Sequence, residues 1–279
     1  MNSRTFSSRS WRRATMASDS EFQTVGESGW LSGLPNMLRK ENGKWWNTRL
    51  WLTQSLIWAF LLNGLFSLVL YLNNQDTAQM GFPFDSVVFF YALMGGMTPF
   101  GVMLLTQGAI VEEKKSGTAE WVLSAPLSRE AFVLSKLVVN MLWIFGTLVL
   151  LQGAVFELVL TAFGMEIVPV AALMKGLFLH GFHLLFWLAL SLMLGSFFKG
   201  RGAVMGIPIL LLAFQDLIAD LGSIYLPGIE LVLPKRIEEM ATQVTLGGPV
   251  SSVIPLFAIG LQIVLFALVA FWRFKREEF

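Results

Sequence analysis

The sequence predicts an all-α integral membrane protein with six transmembrane helices, and three observations lead to that prediction. Hydrophobic residues make up 55 % of the 279 residues and charged residues only 14 %, against about 25 % in a typical soluble domain. The mean hydropathy is +0.64. Long uncharged runs recur, and about 20 apolar residues suffice for a helix to cross a bilayer. We place the spans near 50–72, 87–111, 137–160, 173–198, 203–221 and 253–272.

The basic residues orient these spans, because Lys and Arg are retained on the cytoplasmic side of a membrane. With the N-terminus inside, eight basic residues precede the first span and four lie in 112–136. Two more follow the fourth span, and three lie in the tail. The three that fall outside are Lys175, Lys235 and Arg236. Both termini are therefore predicted to be cytoplasmic.

The N-terminal 30 residues are not a secretory signal peptide. They carry four arginines and many serines but no apolar core. An organellar transit peptide can have this composition, as can a disordered cytoplasmic tail. We assign residues 1–30 to a disordered tail and residues 31–279 to one transmembrane domain. The chain contains no cysteine, which excludes disulfides, thiolate metal sites and thiol catalysis.

Residues 34–49 form an amphipathic entry segment before the first span. Trp45 and Trp46 lie beside basic residues, a combination that suits the headgroup layer. We expect this segment to lie along the inner membrane surface and to break near Asn42-Gly43. A simple juxtamembrane anchor is the alternative.

Segment 112–136 is a charged, turn-bearing loop between spans two and three. Thr118 is a suitable N-cap for a short helix over 119–124, with Glu120 in its first turn. Pro126 ends that helix, because the residue before a proline favours extended geometry.

The helix that follows this loop is predicted to be long. Ser128 can cap it, and it runs from Arg129 to about Leu160, roughly 48 Å at 1.5 Å per residue. Since the hydrocarbon core is about 30 Å thick, the helix should project into the cytosol. It would present the short helix, with its Trp121, to a groove in another protein. A solvated interhelical turn is the alternative.

The loop resembles the signature of ABC type-2 transporter permeases, the six-helix class of ABC exporter. The pattern "E-x-x-x-G-T-x-E … P-x-S-R … K" is matched by Glu113, Gly117, Thr118, Glu120, Pro126, Ser128, Arg129 and Lys136. The resemblance extends over the whole chain, through the "LRKE" entry motif at 38–41, the six spans and the basic end. Departures are Ala119 in place of leucine, "ENGKWW" after the entry motif, and the N-terminal extension.

The resemblance implies a membrane-spanning permease subunit of an ATP-binding-cassette transporter, an exporter in the inner membrane of a bacterium. A coupling helix at 118–124 would insert into a cleft of a separate ATPase subunit. Two such subunits, which bind ATP and Mg, would drive two permease chains, as a homodimer or a related heterodimer. The implied contacts with the ATPase are Glu113, Gly117, Thr118, Glu120, Trp121, Pro126, Ser128 and Arg129.

Two further features follow from the resemblance. The dimer interface would use the first and fifth spans, and Gly202 and Gly206 form a G-x-x-x-G pair suited to close helix approach. The extracytoplasmic gate would map to about 222–252. Within that region the chain between its prolines and glycines, 229–246, is compatible with a short helix.

Ionisable groups inside spans are functional candidates, because they are costly to bury in lipid. Asp216 lies deep in the fifth span, and His180 and His183 lie three residues apart on one face of the fourth. Two histidines so spaced suit metal ligation. No acidic or thiol companion lies at ligand spacing nearby, so we predict no metal site. Asp216, His180 and His183 are instead candidates to line a pathway.

Several catalytic motifs are missing from the sequence. No G-x-x-x-x-G-K-[ST] phosphate loop, H-E-x-x-H or G-x-S-x-G occurs. The chain is therefore predicted not to be an enzyme by itself, to hold no cofactor and to bind no nucleic acid. Two alternative hypotheses for the function are a non-transporting membrane anchor or scaffold for a cytosolic complex, and an intramembrane enzyme that uses Asp216 or the histidines.

Overall fold

The computed structural model describes residues 29–74, 85–115, 127–250 and 252–276, and within these ranges every regular element is a helix. Six helices are long and apolar enough to cross a membrane, as expected for a multi-pass membrane protein. A shorter helix, α1 (Leu34–Asn47), precedes the spans. The spans are α2 (Leu50–Asn73), α3 (Ser86–Lys115), α4 (Arg129–Ala162), α5 (Val170–Phe197), α6 (Arg201–Tyr225) and α8 (Ile254–Lys275). Helix α7 (Lys235–Thr245) lies between α6 and α8.

The positions of the six spans agree with those predicted. Helix α4 begins at Arg129, and the Ser128 hydroxyl caps it by accepting the backbone N–H of Ala131 at 3.0 Å. Helix α3 is capped by Asp85, whose carboxylate accepts two backbone N–H groups. Helices α2 and α4 each contain one π-helical turn, at Ala59–Gly64 and Phe145–Leu150.

The predicted break in the entry segment is wrong, because α1 continues through Asn42 and Gly43. Its buried side chains, Met37, Glu41 and Trp45, follow a four-residue spacing and face α4. The Trp45 indole donates to the amide oxygen of Asn140 at 3.0 Å, and its ring stacks on Trp143. This packing offsets the cost of about 1 kcal/mol for a glycine inside a helix.

Helix α5 is the centre of the bundle. The most apolar 18-residue stretch of α5 is 72 % buried, whereas the corresponding stretch of α6 is only 17 % buried. Helix α5 packs most extensively on α7 and α8 and also contacts α3 and α6. Helix α6 therefore lies at the periphery. A Cβ added at its Gly202 or Gly206 would meet no atom of the described residues within 4 Å.

The two ends of the bundle are distinguished by their contacts. At one end, which we call the loop end, α3 stops and α4 starts, and residues 116–126 connect them outside the described part. The opposite end, the distal end, is where α6 stops and α8 starts. Helix α7 folds back from the distal end along α5. Its Glu238 contacts His180 and His183. By the helical rise, these histidines lie about 15–20 Å from the start of α5.

Candidate functional site

Among the described residues, the buried acidic, basic and histidine side chains fall into two groups, and the first lies at the loop end. The Lys136 ammonium on α4 is 1 % exposed and contacts two carboxylates, Glu41 on α1 at 2.8 Å and Glu113 on α3 at 2.9 Å. Lys40 contacts the same Glu113 oxygen at 3.3 Å. We call Lys40, Glu41, Glu113 and Lys136 the loop base. It joins the entry helix to both stems of the 116–126 loop.

Each stem of that loop is also tied to the end of another span. On the α3 side, Lys114 donates to the Ser196 carbonyl at the end of α5, and Glu112 pairs with Arg201 at the start of α6. On the α4 side, Arg129 donates to the last carbonyls of α8, at 2.6 Å to Lys275. A displacement of either stem would therefore move several spans.

The predicted docking residues divide into two sets. Ser128 and Arg129 make contacts within the chain, and Glu113 belongs to the loop base. Gly117, Thr118, Glu120, Trp121 and Pro126, together with the predicted coupling helix at 118–124, lie outside the described residues. That helix stays a prediction.

The second group lies between α5 and α7. Nδ1 of His183 is 3.0 Å and Nδ1 of His180 is 3.5 Å from Oε2 of Glu238. We call His180, His183 and Glu238 the triad. Both histidines are buried, and the Glu238 side chain is 11 % exposed.

The outer nitrogen of each imidazole has a partner of its own. Nε2 of His180 lies 2.9 Å from the Thr98 hydroxyl on α3. Nε2 of His183 accepts the indole N–H of Trp187 at 2.8 Å. One ligand atom from each member of the triad lies within 4.8 Å of the others, so these three residues could hold a metal ion.

Glycines allow the elements around the triad to approach closely. A Cβ at Gly95 on α3 would overlap the Glu238 carboxylate, and one at Gly176 on α5 would overlap the Thr245 hydroxyl. The Thr245 hydroxyl is hydrogen-bonded to the Tyr91 hydroxyl at 2.9 Å, which fixes the other end of α7 against α3.

Asp216, the third pathway candidate, is not part of the triad. Its carboxylate pairs with Lys235 at the start of α7, and its side chain is 63 % exposed. The polar partner of Asp216 is therefore a lysine on α7, outside the six spans.

Glu238 is the residue that sequence reasoning missed. No acid lies at ligand spacing from the histidines along the chain, whereas α7 brings Glu238 from beyond the fifth span. One signal was present: Glu238 lies three residues before Ala241 and seven before Thr245, on the buried stripe of an amphipathic helix.

Comparison with known proteins gives a family but no activity. A family model described as "Protein of unknown function (DUF2705)" matches residues 60–279, most of the chain. The chain therefore belongs to this family. No curated protein matches it.

Proposed function

We propose that this member of the DUF2705 family is the permease subunit of an ATP-binding-cassette transporter. A separate ATPase subunit docks on the 116–126 loop and drives movement of the spans. The observation that carries the proposal is the loop base, in which a buried lysine holds the entry helix and both loop stems together. Its members Glu113 and Lys136 also belong to the sequence signature that resembles ABC type-2 permeases.

The loop base is suited to attach a coupling loop rigidly to the bundle. A loop that transmits force needs rigid stems. A buried ion pair with short contacts resists separation, because separation would leave its charges buried without partners. The stems also contact three other spans: Lys114 contacts α5, Glu112 contacts α6 and Arg129 contacts α8. A solvated interhelical turn would not need these contacts.

The contacts divide the predicted docking residues by role. Arg129 donates to the C-terminal carbonyls of α8, so we assign it to the attachment of the loop to the bundle and not to contact with the ATPase. Glu120 and Trp121 are then the residues that contact the ATPase, while ATP and Mg are bound by that partner.

The remaining features of the proposal follow the resemblance. Two permease chains pair through α2 and α6, and the exposed α6 with its open Gly202 and Gly206 is suited to such pairing. The loop end faces the cytosol, in agreement with its basic residues. The complex lies in the inner membrane of a bacterium and works as an exporter.

The test is co-purification of the ATPase from native membranes in mild detergent. Wild-type protein should retain a partner that has a phosphate-loop sequence and hydrolyses ATP. The double variant Glu120→Ala/Trp121→Ala should lose this partner and remain monodisperse. Trp30→Ala is the matched control, because Trp30 is an exposed tryptophan at the same end of the bundle.

Two results would contradict the proposal. One is an ATPase that stays bound to the double variant as tightly as to wild type. The other is a stable partner without a phosphate loop, which would favour the scaffold function instead.

A further inference from the structure

We propose that the triad binds one divalent transition-metal ion of the zinc class, which bridges α5 to α7. The inference rests on His180, His183, Glu238 and their neighbours, and it does not depend on the transporter proposal.

The first argument is convergence of ligand atoms. Four-coordinate zinc binds His nitrogen and carboxylate oxygen at about 2.0–2.2 Å, which places neighbouring ligand atoms of a tetrahedral site about 3.3 Å apart. The two Nδ1-to-Oε2 distances, 3.0 and 3.5 Å, bracket that separation.

The second argument is the absence of hydrogen bonds among these converging atoms. Nδ1 of both histidines and both carboxylate oxygens of Glu238 are buried without a hydrogen-bond partner in the described part of the chain. Buried polar atoms without partners are costly, and a single cation among them would satisfy all three side chains.

The third argument comes from the Thr98 hydroxyl, which has one proton to donate. It gives that proton to the Met94 carbonyl at 2.7 Å. It therefore accepts from His180, whose Nε2 must carry a hydrogen. Neutral His180 then presents a lone pair on Nδ1 toward a carboxylate, and these two groups repel unless a positive charge lies between them.

Trp187 makes the site adjustable. Because its indole N–H can only donate, Nε2 of His183 accepts and the remaining ring proton lies on Nδ1. For His183 to coordinate through Nδ1, that proton has to leave and Nε2 has to become the protonated nitrogen. The Trp187 bond therefore competes with coordination by His183, whereas the Thr98 bond supports coordination by His180 in the manner of an outer-shell partner.

The donor set selects the class of ion. Two imidazoles and a carboxylate, with an open fourth position, suit zinc and related divalent ions better than calcium or magnesium. The chain has two histidines and no cysteine, so imidazole-dependent binding can come only from the triad. A bound ion would hold α7 in its docked position on α5.

The experiment is titration of the full chain with ZnCl₂, using protein purified in detergent without a histidine tag and stripped with a chelator. Isothermal calorimetry and elemental analysis should give one Zn²⁺ per chain. His180→Ala and Glu238→Gln should each weaken binding by roughly 10–100-fold or more. Glu239→Gln, the neighbouring acid that pairs with Arg236 instead, should leave the affinity unchanged.

Trp187→Phe supplies a test that a structural role of the triad would not mimic. Removing the indole donor frees Nε2 of His183 to hold the proton, so zinc should bind more tightly than to wild type. Zinc should also raise the melting temperature of wild-type protein but not that of Glu238→Gln.

Three results would overturn the inference. They are wild-type protein that binds no zinc, binding that survives Glu238→Gln, and equal losses in the Glu238 and Glu239 variants. The first would mean that a proton, not a metal ion, separates Nδ1 of His180 from the carboxylate. Wild-type stoichiometry decides the matter even if a substituted chain fails to fold.

Discussion

Replacing Lys136 with methionine should destabilise the bundle more than any exposed lysine substitution. Methionine keeps most of the apolar stem, which lies by the Phe132 ring, and removes the charge. Glu41, which is 5 % exposed, then remains buried without its ammonium partner and next to Glu113, which keeps its contact with Lys40.

The magnitude follows from the geometry of the loop base. Oε1 of Glu41 and Oε1 of Glu113 both contact Nζ of Lys136, at 2.8 and 2.9 Å respectively. These two oxygens therefore lie no more than about 6 Å apart. Two negative charges at that separation repel by about 3 kcal/mol at an effective dielectric constant of about 20. Removing one partner of a buried ion pair typically costs about 3–5 kcal/mol. Because Lys40 still pairs with Glu113 in the variant, we expect a loss at the lower end of this range, about 3 kcal/mol.

The assay is thermal unfolding in detergent, followed by the fluorescence of the ten tryptophans. A chain of this size should lose roughly 6–12 °C in melting temperature, at roughly 2–4 °C per kcal/mol. Lys115→Met, at an exposed position of the loop end, should change it little. Adding Glu41→Gln to Lys136→Met should recover much of the loss, because it removes the buried charge.

Two outcomes would refute this reasoning. If Lys136→Met melts like Lys115→Met, the ion pair does not hold the loop base. If the double variant is as unstable as Lys136→Met alone, the loss comes from packing and not from unpaired charge.

Three further predictions follow from other contacts. Gly95→Ala should cost about 1–3 kcal/mol by forcing the Glu238 carboxylate away. Gly96→Ala, whose Cβ would meet none of the described residues within 4 Å, should not destabilise the bundle. Equal melting temperatures of the two variants would count against the close approach of α3 and α7. Arg129→Gln should lower the melting temperature by an amount equivalent to about 1–2 kcal/mol, because the last carbonyls of α8 lose a charged donor; an unchanged melting temperature would mean that this link carries no stability. Single cysteines at Lys115 and Met165, in a chain that has none, should react with an impermeant maleimide in inverted and right-side-out vesicles respectively, and the reverse pattern would overturn the proposed orientation.

The spans and the Ser128 cap could be predicted because both depend on local sequence. The length of an uncharged run decides whether a helix can cross a bilayer, and a cap requires one side chain next to the helix start. The break in α1 was predicted from Asn42 and Gly43 by the same local reasoning. It was wrong because packing of Trp45 on α4 outweighs helix propensity at those positions.

The loop base and the triad could not be predicted from the sequence because each joins distant parts of the chain. Lys136 and Glu41 are 95 positions apart, and the sequence pattern gave no reason to pair them. Glu238 reaches the histidines only because α7 folds back along α5. The expectation of no metal site rested on neighbours along the chain, so the close approach of Glu238 could not enter it.

The most direct test of the transporter proposal is mass spectrometry of the intact complex, purified from native membranes in mild detergent. We predict two copies of this chain with two ATP-binding subunits, each with a phosphate loop. Recovery of the chain alone, or with partners that lack a phosphate loop, would contradict the proposal and would make the triad the next site to examine for an independent activity.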